Sequence, residues 1–481
     1  MGPQKGIDDL PDEILVEIFS YLTFEELVHS VQYVTSRWQE VTHDAQLWRH
    51  LAYSPSWRES DGQIASVLQQ TPKLQTLILS QRGVRSTVLN TFMESCPNLK
   101  RLEFNNYQRL STSLLERIVQ KCPNIEHLSI PNGVLSRKDQ AEIIGQFTNL
   151  RVLDVGGWAD PDNPVFLRPL AEGCPALQSI DLKDKMHTND DLEYLLQKKK
   201  NQLHTLCVRW SSEEGKCTLP LLPICQTLKT LHVDSYCDTN IEAGFESLRS
   251  LKTVTSLTLC FLNNANINYV ISIFNKKAMM QLVELHISYY ENYEDRLAEV
   301  IVKNCPRLKH LCIKECSSLT DDSVENFHTL KDLQKVNLYG SNITDKGVVH
   351  ISKCKHLKYL NLKCCIKLSE KSMELITRFT ELQVLKLDFC DISGLPIGLI
   401  PSRLKNLRLF SVNYCKNVDQ EALKQLKEQM PHLCIYDRVD RYISVDMDDW
   451  ESVEVIQPVE MEEPDIIFID APFILEQLGI Y

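Results

Sequence analysis

The stretch that decides the fold is Leu357-Lys358-Tyr359-Leu360-Asn361-Leu362-Lys363-Cys364-Cys365. Its first, fourth and sixth residues are apolar and the residues between are polar. The same spacing returns at Leu74, Leu99, Ile125, Leu150, Leu177, Leu203, Leu228, Val254, Leu282, Leu308, Leu333, Leu382 and Leu407, each 24 to 28 residues from the next. In these fourteen units all 42 of the first, fourth and sixth positions are apolar, in a chain that is 43% hydrophobic, so coincidence is excluded. A degenerate fifteenth unit begins at Leu433. Alternation through the middle of the unit predicts a short strand with leucines on one face. A turn and a helical segment, such as Asp345 to Lys353, then return the chain. One such unit cannot bury its own apolar face, so the units are expected to stack into an α/β solenoid with strands on the concave side.

The cysteines follow the same period. Six of 17 (Cys96, Cys122, Cys174, Cys225, Cys305, Cys354) lie three residues before a unit's first apolar position, and four (Cys316, Cys365, Cys390, Cys415) lie eight after it. Small buried residues are what these phases need. No pair of C-x-x-C pairs is present, so cysteine spacing predicts no metal site. Cys364-Cys365 and Cys312-x-x-x-Cys316 read as structural, and the odd count reads as reduced thiols. Units of this form, with Ser341-Asn342-Ile343-Thr344-Asp345-Lys346-Gly347-Val348 between two of them, resemble the cysteine-containing leucine-rich repeat. The resemblance implies a leucine-rich-repeat horseshoe of 14–15 repeats over residues 72–436.

A different pattern occupies residues 1–51. Leu10, Ile14, Leu15, Ile18, Phe19 and Leu22 form a helical stripe, with Pro11 fitting the first turn and Asp12 and Glu13 complementing its dipole. Thr23-Phe24-Glu25-Glu26 reads as a capping box opening a second helix that carries Leu27, Val28, Val31 and Val34. A third helix passes through Arg37-Trp38 and Leu47-Trp48 closes the unit. These residues resemble an F-box closely, with Thr35-Ser36-Arg37-Trp38 where that family usually has Cys-Lys-Arg-Trp. The resemblance implies a small three-helix module that binds the adaptor subunit of an SCF (cullin-RING) ubiquitin ligase, and through it cullin. Carried over by position, the adaptor-binding residues are Leu10, Pro11, Ile14, Leu15, Ile18, Phe19, Leu22 and Trp38.

Residues 52–71, with Trp57, Ile64, Val67 and Leu68, contain no Gly/Ser linker and predict a helix capping the first repeat. Residues 437–481 form an acidic tail interleaved with apolar side chains, among them Trp450, Phe468 and Phe473. One reading folds the tail back towards Lys335, Lys363 and Lys386; the other leaves it a disordered tail carrying a short motif.

Charge divides the chain in the same way. The net charge of −12 is −6 over residues 1–50, −11 over 440–481 and +5 between. Acidic ends argue against nucleic acid as a partner. No run of eighteen apolar residues predicts a membrane span, and the polar, acidic start predicts a cytoplasmic or nuclear protein. The outward positions of the later repeats (His310, Lys314, Lys335, Tyr339, Tyr359, Lys363, Lys386) are the expected substrate-binding residues against a single acid, Asp388. Earlier repeats mix Arg101, Glu103, His127, Asp154, Asp181 and Lys183. Trp210, Phe261, Tyr289, Phe389 and Tyr414 recur at the eighth position as a possible aromatic rim, and Trp210 and Tyr289 join the expected substrate-binding set. Phosphate-cradling loops and a reactive cysteine with its base are missing from the sequence. The expectation is a noncatalytic substrate receptor without a cofactor that holds an unknown target protein for ubiquitination. The alternative is a scaffold or inhibitor acting by partner binding alone.

Overall fold

The parallel register of neighbouring repeats organises residues 52–436. The computed structural model describes residues 7, 10–49, 51–55, 59–79, 86–104, 110–130, 137–156, 165–183, 187–210, 219–235, 241–262, 265–275, 277–390, 392, 397–415 and 418–437. Among these, sixteen strands form one parallel sheet in strict sequence order, from Ala52–Tyr53 to Cys434–Tyr436. Fourteen strands come from the fourteen leucine units. The first is contributed by the segment ahead of Leu74 and the last by the degenerate unit at Leu433. Between strands the chain returns through short helices such as Asp345–Ile351. Strands stack about 4.8 Å apart whereas packed helices need about 8–10 Å, so the strand side is the shorter, inner side of the curve. The fold is a leucine-rich-repeat solenoid preceded by a small helical module.

The unit's leucines are the core: Leu357, Leu360 and Leu362 are fully buried, as are their counterparts along the chain. Thirteen of the fifteen described cysteines are buried and none forms a disulfide. Cysteine at the ninth position has a specific task. The thiols of Cys365, Cys390 and Cys415 donate to the carbonyls of Leu338, Leu362 and Leu387 in the preceding repeats, at 3.3, 3.1 and 3.1 Å. Burial pushes Cys305, Cys316 and Cys354 up to about 12, so these thiols are protonated and unreactive at neutral pH.

The eighth position turns the chain sharply. Phe261, Tyr289, Glu315, Cys364, Phe389 and Tyr414 all have φ between 54° and 59°, and Gly340 has φ 71°. Only the glycine takes this conformation without a steric cost, which is about 1–2 kcal/mol for the others. The turn aims each amide at the next repeat, as in Glu315 N–H to Tyr339 O at 2.8 Å and Cys364 N–H to Asp388 O at 2.8 Å. A parallel ladder of acids joins the helix starts. Asp295 accepts from Thr320 at 2.6 Å, Asp321 from Thr344 at 2.7 Å and Asp345 from Ser369 at 2.5 Å.

The N-terminal module comprises α1 (Asp12–Phe19), α2 (Phe24–His29) and α3 (Ser36–Thr42). Pro11 sits at the N-cap of α1 rather than inside its first turn. The capping box is present, with Glu26 N–H on Thr23 Oγ1 at 3.2 Å and Thr23 N–H on Glu26 Oε2 at 2.8 Å. Thr35 caps α3 by accepting from Trp38 N–H at 3.1 Å, which is what this chain gains where the family pattern has cysteine. Helix α4 (Asp61–Gln70) buries Ile64, Val67 and Leu68 against the first repeat. Phe24 stacks on Tyr53 with ring centroids 4.7 Å apart, so the module and the solenoid share one core. Trp57 lies outside the described residues, as does the tail from residue 438.

Candidate functional site: an apolar helical face and a basic strand face

Two surfaces carry the candidate residues. On the N-terminal module, α1 presents Ile14 and Ile18 to solvent, 41% and 37% exposed. Pro11 is exposed beside them, and Leu10 and Leu22 are half-buried. Leu15 and Phe19 are interior instead, at 0% and 1% exposure, and Trp38 packs on Phe19 at 5.0 Å. Those two residues are buried within the chain itself, because the same helix must also bury a stripe against α3. Val31 and Val34, expected on the second helix, lie beyond it: α2 ends at His29, a 3₁₀ turn spans Val31–Tyr33, and Val34 is 56% exposed. Ile7, Tyr21, Tyr33 and Val34 extend the exposed apolar set. Among the described residues, six of the eleven exposed large apolar side chains thus fall within residues 7–34. Arg37 ties the start of α1 to α3 through Asp12 Oδ1 at 2.6 Å and Leu10 O at 2.5 Å.

On the solenoid the parallel register gathers most of the expected groove residues. His310, Lys335, Tyr359 and Val384 form one row across four adjacent strands, and Cys312, Asn337, Asn361 and Lys386 the next. Lys363 lies over both Tyr339 and Phe389, at 5.6 and 5.7 Å, and Lys386 over Tyr359 at 6.0 Å. The lysines are therefore held on rings rather than waving in solvent. Tyr289 stands at the rim, stacked on Phe261 at 4.7 Å, and Phe389 stacks on Tyr414 at 4.5 Å. The side chain of Trp210 lies outside the described residues.

Several polar positions of this face serve the backbone. Asn337 and Asn361 accept from the amides of Tyr339 and Lys363, at 3.1 and 3.0 Å. Asp154 and Asp181 do the same for Gly156 and Lys183, at 3.0 and 2.9 Å. Asp388, the one acid expected among the lysines, is buried and bonded to Ser411 and Asn413. Sequence reasoning overlooked Glu315, which the left-handed turn brings beside Tyr339; burial pushes its carboxyl up although the Tyr339 hydroxyl, Lys314 and Lys363 pull it back. In the early repeats charge is spent internally, with Arg101 on Glu103 at 2.5 Å and Lys183 on Asp181 at 3.5 Å.

A histidine cluster lies at mid-solenoid. His310 contacts Glu284 at 2.8 Å, and that hydrogen bond, against burial, holds Glu284 down at about 2. Burial holds His286 down at about 4, with Lys314, His310 and His232 adding to it and Glu284 opposing. The unfolded chain therefore takes up a proton at His286 that the folded chain refuses, between about 6.5 and 4. Stability fully present above about pH 6.5 is lost as pH falls through that window, while the share due to Glu284 is lost lower, from about pH 4.5 to 2. In urea melts, His286→Gln is expected to remove up to about 3 kcal/mol of the loss between pH 7 and pH 4.5. An unchanged slope would mean that His286 is solvated.

Comparison with known proteins agrees with this division. Residues 7–54 match the F-box-like family. The curated F-box/LRR-repeat protein 5 of Bos taurus and that of Pongo abelii are each 41% identical to this chain over 56 residues, 12% of this chain and 8% of theirs. Among solved structures, a Rad7–Elc1 complex from yeast is 16% identical with a TM-score of 0.41, covering 90% of this chain and 91% of that one. An internalin from Listeria monocytogenes str. 4b F2365 is 16% identical with a TM-score of 0.37, covering 79% and 95%. Likeness at that level adds nothing to the strand ladder itself. The chain carries an F-box-like domain at its N-terminus, followed by a leucine-rich-repeat solenoid.

Proposed function

We propose that this chain is a noncatalytic substrate receptor of an SCF (cullin-RING) ubiquitin ligase, acting in the cytosol or nucleus. The F-box-like module binds the adaptor, and the strand face of repeats ten to thirteen holds a target protein. The observation that carries the reading is the concentration of exposed apolar side chains on residues 7–34, inside the segment that matches the F-box-like family. An apolar patch of this kind on an otherwise ordinary surface marks a protein-binding site. The receptor works by proximity, holding its target near the charged conjugating enzyme and raising its effective concentration there. The groove has the recognition chemistry for an acidic segment: Lys314, Lys335 and Lys386 lie on strands and Lys363 on the turn that follows the strand Tyr359–Asn361, among Tyr339, Tyr359 and Phe389.

The test is co-purification of the full chain with the adaptor, together with turnover of the proteins that wild type retains when the proteasome is blocked. Lys363→Glu combined with Lys386→Glu is expected to weaken retention of those targets by about 10–100-fold and to leave adaptor capture intact. Adaptor capture without any target whose turnover depends on this chain would favour a scaffold. Absence of adaptor capture by the folded chain would end the receptor reading.

A further inference from the structure

His232 lies on the strand Thr230–Ser235, two residues before Asp234, and Cys260 ends the neighbouring strand Ser256–Cys260. In the parallel register Asp234 stands directly beside Cys260, and Ser288 stands beside Cys260 on the next strand. One imidazole nitrogen, one carboxylate oxygen and one sulfur thus come within 4.8 Å of one another. They sit on the floor of the inner face: Asp234 and Cys260 are 4% and 8% exposed and His232 is half-buried. We propose that His232, Asp234 and Cys260 form a binding site for a divalent metal ion of the zinc class.

Mixed nitrogen, oxygen and sulfur donors suit a borderline ion such as Zn²⁺ and not Mg²⁺ or Ca²⁺, which prefer oxygen alone. In a tetrahedral zinc site the donors lie about 2.0–2.3 Å from the metal. Closing the cluster onto one ion therefore needs movements of the order of 1 Å, within the reach of side-chain torsions. His232 Nε2 and Asp234 Oδ1 already meet at 2.7 Å, and Asp234 keeps a second oxygen. Ser288 Oγ–H points at Cys260 Sγ from 2.9 Å, the arrangement that steadies a thiolate ligand from outside. Three protein ligands leave the fourth position to water on the groove side. Without a cation, burial and the Asp234 carboxylate push the Cys260 thiol well up, and Ser288 and Lys314 pull it only partly back. A divalent ion reverses that balance: the S–H bond breaks, its proton passes to solvent, and the sulfur–metal bond forms with no change of oxidation state.

The test uses the full chain, stripped of metal with a chelator and titrated with Co²⁺ as a spectroscopic stand-in for Zn²⁺. One equivalent is expected to produce thiolate-to-cobalt charge-transfer absorption and to release one proton, so that apparent affinity falls about tenfold per pH unit on acidification. Cys260→Ser should abolish the charge-transfer band. Asp234→Asn should weaken binding at least tenfold. Cys312→Ser, at another buried thiol of the same face, should change nothing. X-ray absorption of the zinc-loaded wild type needs no variant and should show one sulfur at about 2.3 Å with nitrogen or oxygen at about 2.0–2.1 Å. A band that survives Cys260→Ser in folded protein, a zinc shell without sulfur or with several, or no stoichiometric binding would each overturn the proposal.

Discussion

Replacing Ile14 and Ile18 together with lysine is expected to reduce adaptor affinity by at least about 100-fold while moving the stability of the chain by no more than about 1 kcal/mol. Both side chains are on the solvent side of α1, at 41% and 37% exposure, so neither fills the core. Lysine is a good helix former and its stem can lie where the isoleucine stem lay; its charge suits the last turn of α1 at position 18 and opposes the dipole by only a few tenths of a kcal/mol at position 14, beside Asp12 and Glu13. In a complex the same two positions would have to bury an ammonium against apolar surface, at a cost of several kcal/mol for the pair. Leu15→Lys gives the contrast: it puts a charge into a position with no exposure and should unfold the module. Binding assays and thermal melts run side by side separate the outcomes. Undiminished adaptor capture by the Ile14→Lys, Ile18→Lys variant would remove this face from the proposed interface.

The second large effect is expected at Asp388, where Asp388→Ala should cost about 2–4 kcal/mol. Its carboxylate accepts from Ser411 Oγ at 2.5 Å and from Asn413 N–H at 2.8 Å, and Asn413 Nδ2 in turn reaches Ser411 Oγ at 3.0 Å. Truncation leaves a buried hydroxyl and a backbone amide without their acceptor, each worth about 1–3 kcal/mol. A solenoid transmits such a loss only to its neighbours, so the repeats from 382 to 436 should loosen first. Hydrogen exchange would read this as faster exchange in the last repeats with the early repeats unaffected. Uniform exchange along the chain would show instead that the solenoid unfolds as one unit.

Much of this architecture was legible in the order of residues. The leucine period needs no tertiary information, because a strand's inward face must be apolar at every repeat; it yields every rung but the first, Ala52–Tyr53, which lies ahead of the period. Thr23 and Glu26 announced their capping box because both hydrogen bonds stay within one turn. The apolar stripe of α1 was equally plain, but its division was not. A stripe wider than one contact face must be split between the chain's own core and the outside, and only the position of α3 assigned Leu15 and Phe19 to the first and Ile14 and Ile18 to the second.

Lateral neighbours were the part that could not be read. Asp388 looked like a surface acid because its partners stand 23 and 25 residues further on, in the next repeat. Glu315 was passed over because its place beside Tyr339 depends on a left-handed turn adopted by a residue that seldom takes one. Asp234 and Cys260 lie 26 residues apart, so no spacing rule for metal ligands would pair them, yet one step across a parallel sheet sets them side by side. By itself the sequence determined the solenoid, its period and its helical N-terminal module, since each depends on hydrophobic patterning within a repeat. The tertiary structure alone decided which polar groups hold backbone, which stay at the surface and which converge, because those choices are made between repeats, across about 4.8 Å of sheet.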